Sequence, residues 1–145
     1  MEVKANALIF LCYSEKLPPT VNSNYRFTGK RMYKKTNSWT ETFQWLVRQK
    51  YQVPIFAEDN LHVLFFWGKD RADVDNRLKS ALDAMNQIIY EDDAKIKSLT
   101  SIKLGGNRSF LCCVSPLMLE DLIIAANSFN SCIEAKEVVE RNYSL

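Results

Sequence analysis

Three periodicities follow one another between residues 61 and 104, and together they restrict the fold more than any other part of the chain. Residues 61–67 are almost continuously apolar and rich in aromatic and branched side chains, the pattern of a central strand. Gly68-Lys69 ends it. From Asp73–Asp75 to about Ile89, the residues Leu78, Leu82, Met85 and Ile89 recur with a helical period. Residues 95–104 alternate, with Ile96, Ser98, Thr100, Ile102 and Leu104 on one face, as a half-buried strand does. Gly105-Gly106-Asn107 signals a hairpin returning through residues 108–114 as the partner strand. This succession predicts an α/β (mixed α+β) single domain, a small mixed sheet packed with helices.

The flanking segments fit around that frame. Residues 5–13 form an apolar run suited to a first strand; it is too short to span a bilayer and lacks a secretory flank. Leu17-Pro18-Pro19-Thr20 breaks regular structure, and the basic, aromatic residues 22–35 read as a surface loop. Ser38-Trp39-Thr40-Glu41 matches a capping box opening a helix that buries Trp39, Phe43, Leu46 and Val47 and ends before Pro54. Ser115-Pro116 can begin a C-terminal helix. A break near 127–130 divides that region in two, and Ser131-Cys132-Ile133-Glu134 forms a second capping box. The expected layout is a domain over 1–115 and a helical extension, 116–145, packed on the same domain. With 145 residues, 47% hydrophobic and 25% charged, the chain supports one real core and is not disordered for most of its length.

Cys12, Cys112, Cys113 and Cys132 form no C-x-x-C pair and lie in apolar runs, so they read as reduced core residues of an intracellular protein. His62 is the only histidine and sits in a strand-like run, which speaks for packing and against a zinc site.

Carboxylates crowd the helical segment: Asp73, Asp75 and Asp83, then Asp92-Asp93 after it. Such groups repel one another, and a divalent cation between them is the commonest relief. Asp75, Lys79 and Asp83 recur every four residues and form a stripe beside the apolar one, while Asp73 falls at or before the helix start. Two readings stand. A solvated ladder would stabilise by only about 0.2–0.5 kcal/mol per pair. An all-oxygen Mg2+ site would hydrolyse phosphodiesters, with Lys79 steadying the phosphate. Spacing alone slightly favours the ladder. Basic residues gather nearer the N-terminus: Arg26, Lys30, Arg31, Lys34, Lys35, Arg48 and Lys50 against Glu41. Such a patch suits a polyanion, and an ordinary solvated face equally well. Tyr25, Phe27 and Tyr33 suit base stacking or core packing alike.

The run Asp73-Val74-Asp75-Asn76-Arg77-Leu78-Lys79-Ser80-Ala81-Leu82-Asp83-Ala84, followed by Asp92-Asp93, resembles the D-x-D-N-x-x-K-x-x-x-D-[AG] … D-D signature of RusA-type Holliday junction resolvases. Pro18-Pro19 with Asn22, Asn24 and Tyr25, then the Gly29-to-Tyr33 stretch, is similar to that family's N-terminal part. The resemblance covers roughly residues 5–114. It implies a small homodimeric endodeoxyribonuclease of recombination and repair that binds branched DNA and nicks four-way junctions symmetrically with Mg2+ (or Mn2+). The essential carboxylates would be Asp73, Asp75 and Asp93, with Asp92 beside them as a metal ligand and Lys79 as the catalytic lysine. Asn76 and Asp83 would be supporting residues, and Arg26, Lys30, Arg31, Lys34, Lys35 and Arg71 would contact DNA. A cytoplasmic location, away from membranes, goes with this reading. The net-acidic extension departs from the family pattern. A non-catalytic structure-selective DNA-binding protein, a metal-stabilised module, and a nuclease for other branched DNA are the alternatives.

Overall fold

The two most apolar strands lie inside a five-stranded sheet. The computed structural model describes residues 1–20, 25–28, 31–34, 37–72 and 75–145. In chain order the elements are β1 (Glu2–Ala5), β2 (Phe10–Ser14), β3 (Tyr25–Thr28), β4 (Arg31–Lys34), α1 (Ser38–Lys50), β5 (Leu61–Gly68), α2 (Leu78–Met85), β6 (Ile96–Leu104), β7 (Ser109–Ser115), α3 (Glu120–Ala125) and α4 (Cys132–Asn142). The main sheet runs β1-β2-β7-β5-β6, and β3-β4 form a separate two-stranded sheet. Among the described strands only β5 and β6 pair in parallel. A parallel pair needs a crossover, and α2 supplies it.

Both faces of the sheet are covered. On one, Trp39, Phe43 and Val47 of α1 and Ala81, Ala84 and Met85 of α2 pack against Phe65, Trp67, Phe110 and Cys112. On the other, Leu122, Phe129, Cys132, Ala135 and Val139 from the C-terminal helices pack against Leu64, Phe66, Leu111 and Cys113. Burial on both sides explains why β5 reads as a continuous apolar run and not as an alternating one. The result is a mixed α+β domain. All four cysteines are free and buried, and burial pushes the Cys113 thiol up to about 12. His62 bonds through Nδ1 to Ser98 Oγ at 2.7 Å.

Several expectations fail. The first apolar run is a hairpin, because Asn6 Oδ1 accepts the backbone N–H groups of Leu8 (2.9 Å) and Ile9 (3.0 Å) and turns the chain. The expected loop at 22–35 contains the β3–β4 hairpin. Asn37, and not Ser38, caps α1 by accepting from Thr40 N at 2.7 Å. β6 and β7 do not form a hairpin: β5 lies between them, and residues 105–108 cross its end. A register shift at Leu61/His62 puts Ile96 against the α1–α2 core, while Ile102 and Leu104 face the other. Strict alternation had placed them together. Ser115 Oγ accepts from Leu117 N at 2.9 Å instead of opening a helix, and α3 begins only at Glu120. Half of the second capping box forms: Ser131 Oγ accepts from Glu134 N at 3.2 Å, while Glu134 Oε2 accepts from Asn130 N at 3.0 Å, one residue before the cap.

Candidate active site at the β5–α2–β6 crossover

The crossover begins with a clamp. Arg77 Nε donates to Asp70 Oδ2 at 2.8 Å, and both side chains are nearly buried, at 11% and 4% exposure. Arg77 NH1 also donates to Pro18 O at 2.6 Å. Burial alone would raise the Asp70 pKa, but the Arg77 hydrogen bond, the Ala72 N–H and the Arg77 and Arg108 charges outweigh it and hold the carboxyl below its ordinary value. The clamp closes the base of the loop 70–77. It also ties that loop to the Pro18 segment.

Drawing Arg77 back to Asp70 has a consequence for α2, which starts at Leu78, later than its periodicity suggests. Asp75 therefore lies in a turn before the helix, exposed, with its carbonyl accepting from Leu78 N at 3.2 Å. Asn76 is half-buried in the same turn. The expected three-residue stripe is reduced to Lys79 and Asp83, which pair at 3.6 Å with side chains 58% and 30% exposed. Asp73 lies outside the described residues, as do Lys30 and Lys35. Arg26 falls on β3, and Arg31 and Lys34 on β4. Arg71 is exposed on the loop.

The helix also ends early, at Met85, and Ile89 fills the core from the connection that follows. That connection delivers Tyr90, which is fully buried. Its hydroxyl donates to Leu82 O at 3.5 Å, and the Asp93 carboxylate lies near enough to act on it. Burial, then the Asp93 charge and hydrogen bond, push the phenol well above its ordinary range, and the Asp83 charge adds to this. Tyr90 thus has Asp93 beside it and donates to the α2 turn next to Asp83. The two final aspartates do different work. Asp92 Oδ1 caps a short 3-10 helix, Asp93–Lys95, by accepting from Ala94 N at 2.5 Å. Asp93 lies beside Tyr90. Lys95, the cation nearest in sequence, is held by Asp59 at 2.5 Å.

Among the described residues no three His, Cys, Asp or Glu groups converge as a ready cation cage. The donor chemistry nevertheless suits a hard cation: Asp75, Asp92 and Asp93 are exposed carboxylates, and Asp93 lies beside the buried Tyr90 hydroxyl. Tyr90, Asp70 and Arg77 were given no role by sequence reasoning. Asp70, flanked by Lys69 and Arg71, offered only a faint signal for its pair.

A mixed sheet whose parallel crossover presents carboxylates and a lysine, with basic residues beside it, has the make-up of a hydrolase for a polyanion. The family model for the endodeoxyribonuclease RusA matches residues 16–109, about two thirds of the chain. The chain belongs to the RusA endodeoxyribonuclease family, and it is an enzyme that hydrolyses phosphodiester bonds in DNA. The search of curated proteins found no match. Among the described residues no helix is long and apolar enough to cross a membrane.

Proposed function

We propose that the protein resolves four-way DNA junctions by paired symmetric nicks, in recombination and repair, using Mg2+ or Mn2+. The observation that carries this reading is the buried Tyr90, which has Asp93 beside it and donates to the α2 turn next to Asp83. Asp73, Asp75 and Asp93 hold the ion, with Asp92 beside them. The bound ion supplies Lewis-acid polarisation of the phosphate and neutralises charge on it.

Asp75 comes from the clamped loop before α2, and Asp93 from the short 3-10 helix after it. Lys79, exposed and only loosely paired with Asp83, moves to the scissile phosphate and offsets the charge that develops there. Asp83 keeps the ammonium near its working position in the free enzyme, and Asn76 supports the turn. Arg26, Lys30, Arg31, Lys34, Lys35 and Arg71 contact DNA phosphates. A two-fold homodimer provides the two sites that paired cuts need. The compartment is the cytoplasm, and the 116–145 extension belongs to the same folding unit as 1–115.

A synthetic four-way junction and a matched linear duplex, each incubated with Mg2+ or EDTA, test this. Symmetric nicks in the junction alone, and only with Mg2+, are expected. Equal cutting of the linear duplex would sink the junction assignment, and preferential cutting of flaps or forks would replace it with another branched substrate.

A further inference from the structure

Beside the carboxylate loop lies a cleft of about 490 Å3 whose charged lining is Lys69, Asp70, Arg71, Arg77 and Arg108. Its size falls within the roughly 300–1,000 Å3 typical of ligand clefts. Three chain segments meet to make it. β5 ends at Gly68, β6 ends at Leu104, and β7 begins at Ser109 in register with Gly68. Lys69 N donates to Leu104 O at 3.1 Å, which fixes the loop over the sheet end. Gly68 allows the close approach: a Cβ there would stand 2.4 Å from Ser109 Oγ and 2.5 Å from Asn107 O. Any side chain at 68 would push the Asn107–Arg108 segment away from Lys69.

The charge balance of this cleft points to an anion. Asp70 is engaged by Arg77, whose NH1 also donates to Pro18 O. Lys69, Arg71 and Arg108 are exposed, and they form no ion pair among the described residues. Two guanidinium forks and an ammonium around one cleft match the oxygens of a phosphodiester. The cleft also abuts the loop that carries Asp75. We infer that it is a phosphate-binding subsite, in which Lys69 and Arg108 hold a backbone phosphate of the DNA strand beside the cutting site. The inference rests on the junction-nuclease reading for its ligand. It adds Lys69 and Arg108 to the DNA contacts, and it gives Gly68 a role in shaping them.

The test uses the full chain and a synthetic four-way junction in EDTA, with affinity measured across a salt series. Lys69→Gln and Arg108→Gln are made singly and together, and Lys97→Gln is the charge-matched control on exposed β6 surface. Each cleft substitution is expected to reduce the slope of log affinity against log salt by about 0.9. The double variant should lose both increments, the control neither, and thermal melting should stay near that of the parent. A steep parental slope left unchanged in the cleft variants overturns the subsite alone. So does an equal loss in Lys97→Gln, which would mark a general charge effect. A parent that binds no junction overturns the functional reading and the subsite together.

Discussion

Two aspartate–cation pairs flank the start of α2, and they differ in what surrounds them. Asp70 and Arg77 meet at 2.8 Å with side chains 4% and 11% exposed, whereas Lys79 and Asp83 meet at 3.6 Å with side chains 58% and 30% exposed. In the buried pair, each charge depends on the other because water cannot replace it. In the exposed pair, water screens both charges and the bond is worth little. The first arrangement holds a loop in place. The second leaves the lysine loosely held, as the proposed phosphate contact requires. Placed side by side, they give a rigid base and an exposed, loosely paired lysine.

The largest effect should come from breaking the buried pair. Asp70→Ala leaves Arg77 uncompensated and should cost about 3–5 kcal/mol in chemical denaturation. A loss comparable to that of an ordinary surface substitution would show that the pair does not clamp the loop. The same pair sets an acid limit. Folded Asp70 takes up a proton less readily than the unfolded chain's aspartate, because its folded pKa is lowered. Its contribution is therefore complete above the ordinary carboxylate range, and it is lost as pH falls through that range toward the lowered folded value. Unfolding free energy followed against pH in the parent and in Asp70→Asn should differ in slope within that window.

Lys79→Ala should slow junction cutting by about 10²–10³-fold while leaving the unfolding midpoint nearly in place. A variant that melts early and cuts at the normal rate would invert the comparison. Removing the hydroxyl in Tyr90→Phe should cost about 1 kcal/mol of stability, read by denaturant melting, and should weaken Mn2+ binding read by paramagnetic titration. Unchanged Mn2+ affinity would show that the phenol packs without orienting Asp93. The smallest effect belongs to Asp83→Ala, at about 0.2–0.5 kcal/mol of stability.

The elements legible in the sequence are those whose signal is local. The apolar run of β5, the stripe of α1 and the capping box of α4 each depend on residues within a few positions of one another. What escaped depends on distant partners. The Gly105-Gly106-Asn107 turn has hairpin chemistry, yet β5 already occupies the position beside β7 that β6 would take. Ile96 keeps its alternating pattern but changes face through a register shift at Leu61/His62. The candidate site shows the same division. Asp75, Lys79, Asp92 and Asp93 stand out by spacing. Tyr90 becomes meaningful only when its hydroxyl is seen against Leu82 O and Asp93. Arg77 becomes so only beside Asp70 and Pro18.

In the proposed function Asp93, beside the buried Tyr90, is a working ligand of the cutting site and not a loop carboxylate. The most direct measurement compares the parent with Asp93→Asn on a four-way junction in Mg2+, reading cutting and binding on the same samples. Cutting should disappear in Asp93→Asn, while junction affinity is retained or rises as a negative charge is removed near the phosphates. Cutting by Asp93→Asn at the parental rate would contradict that assignment.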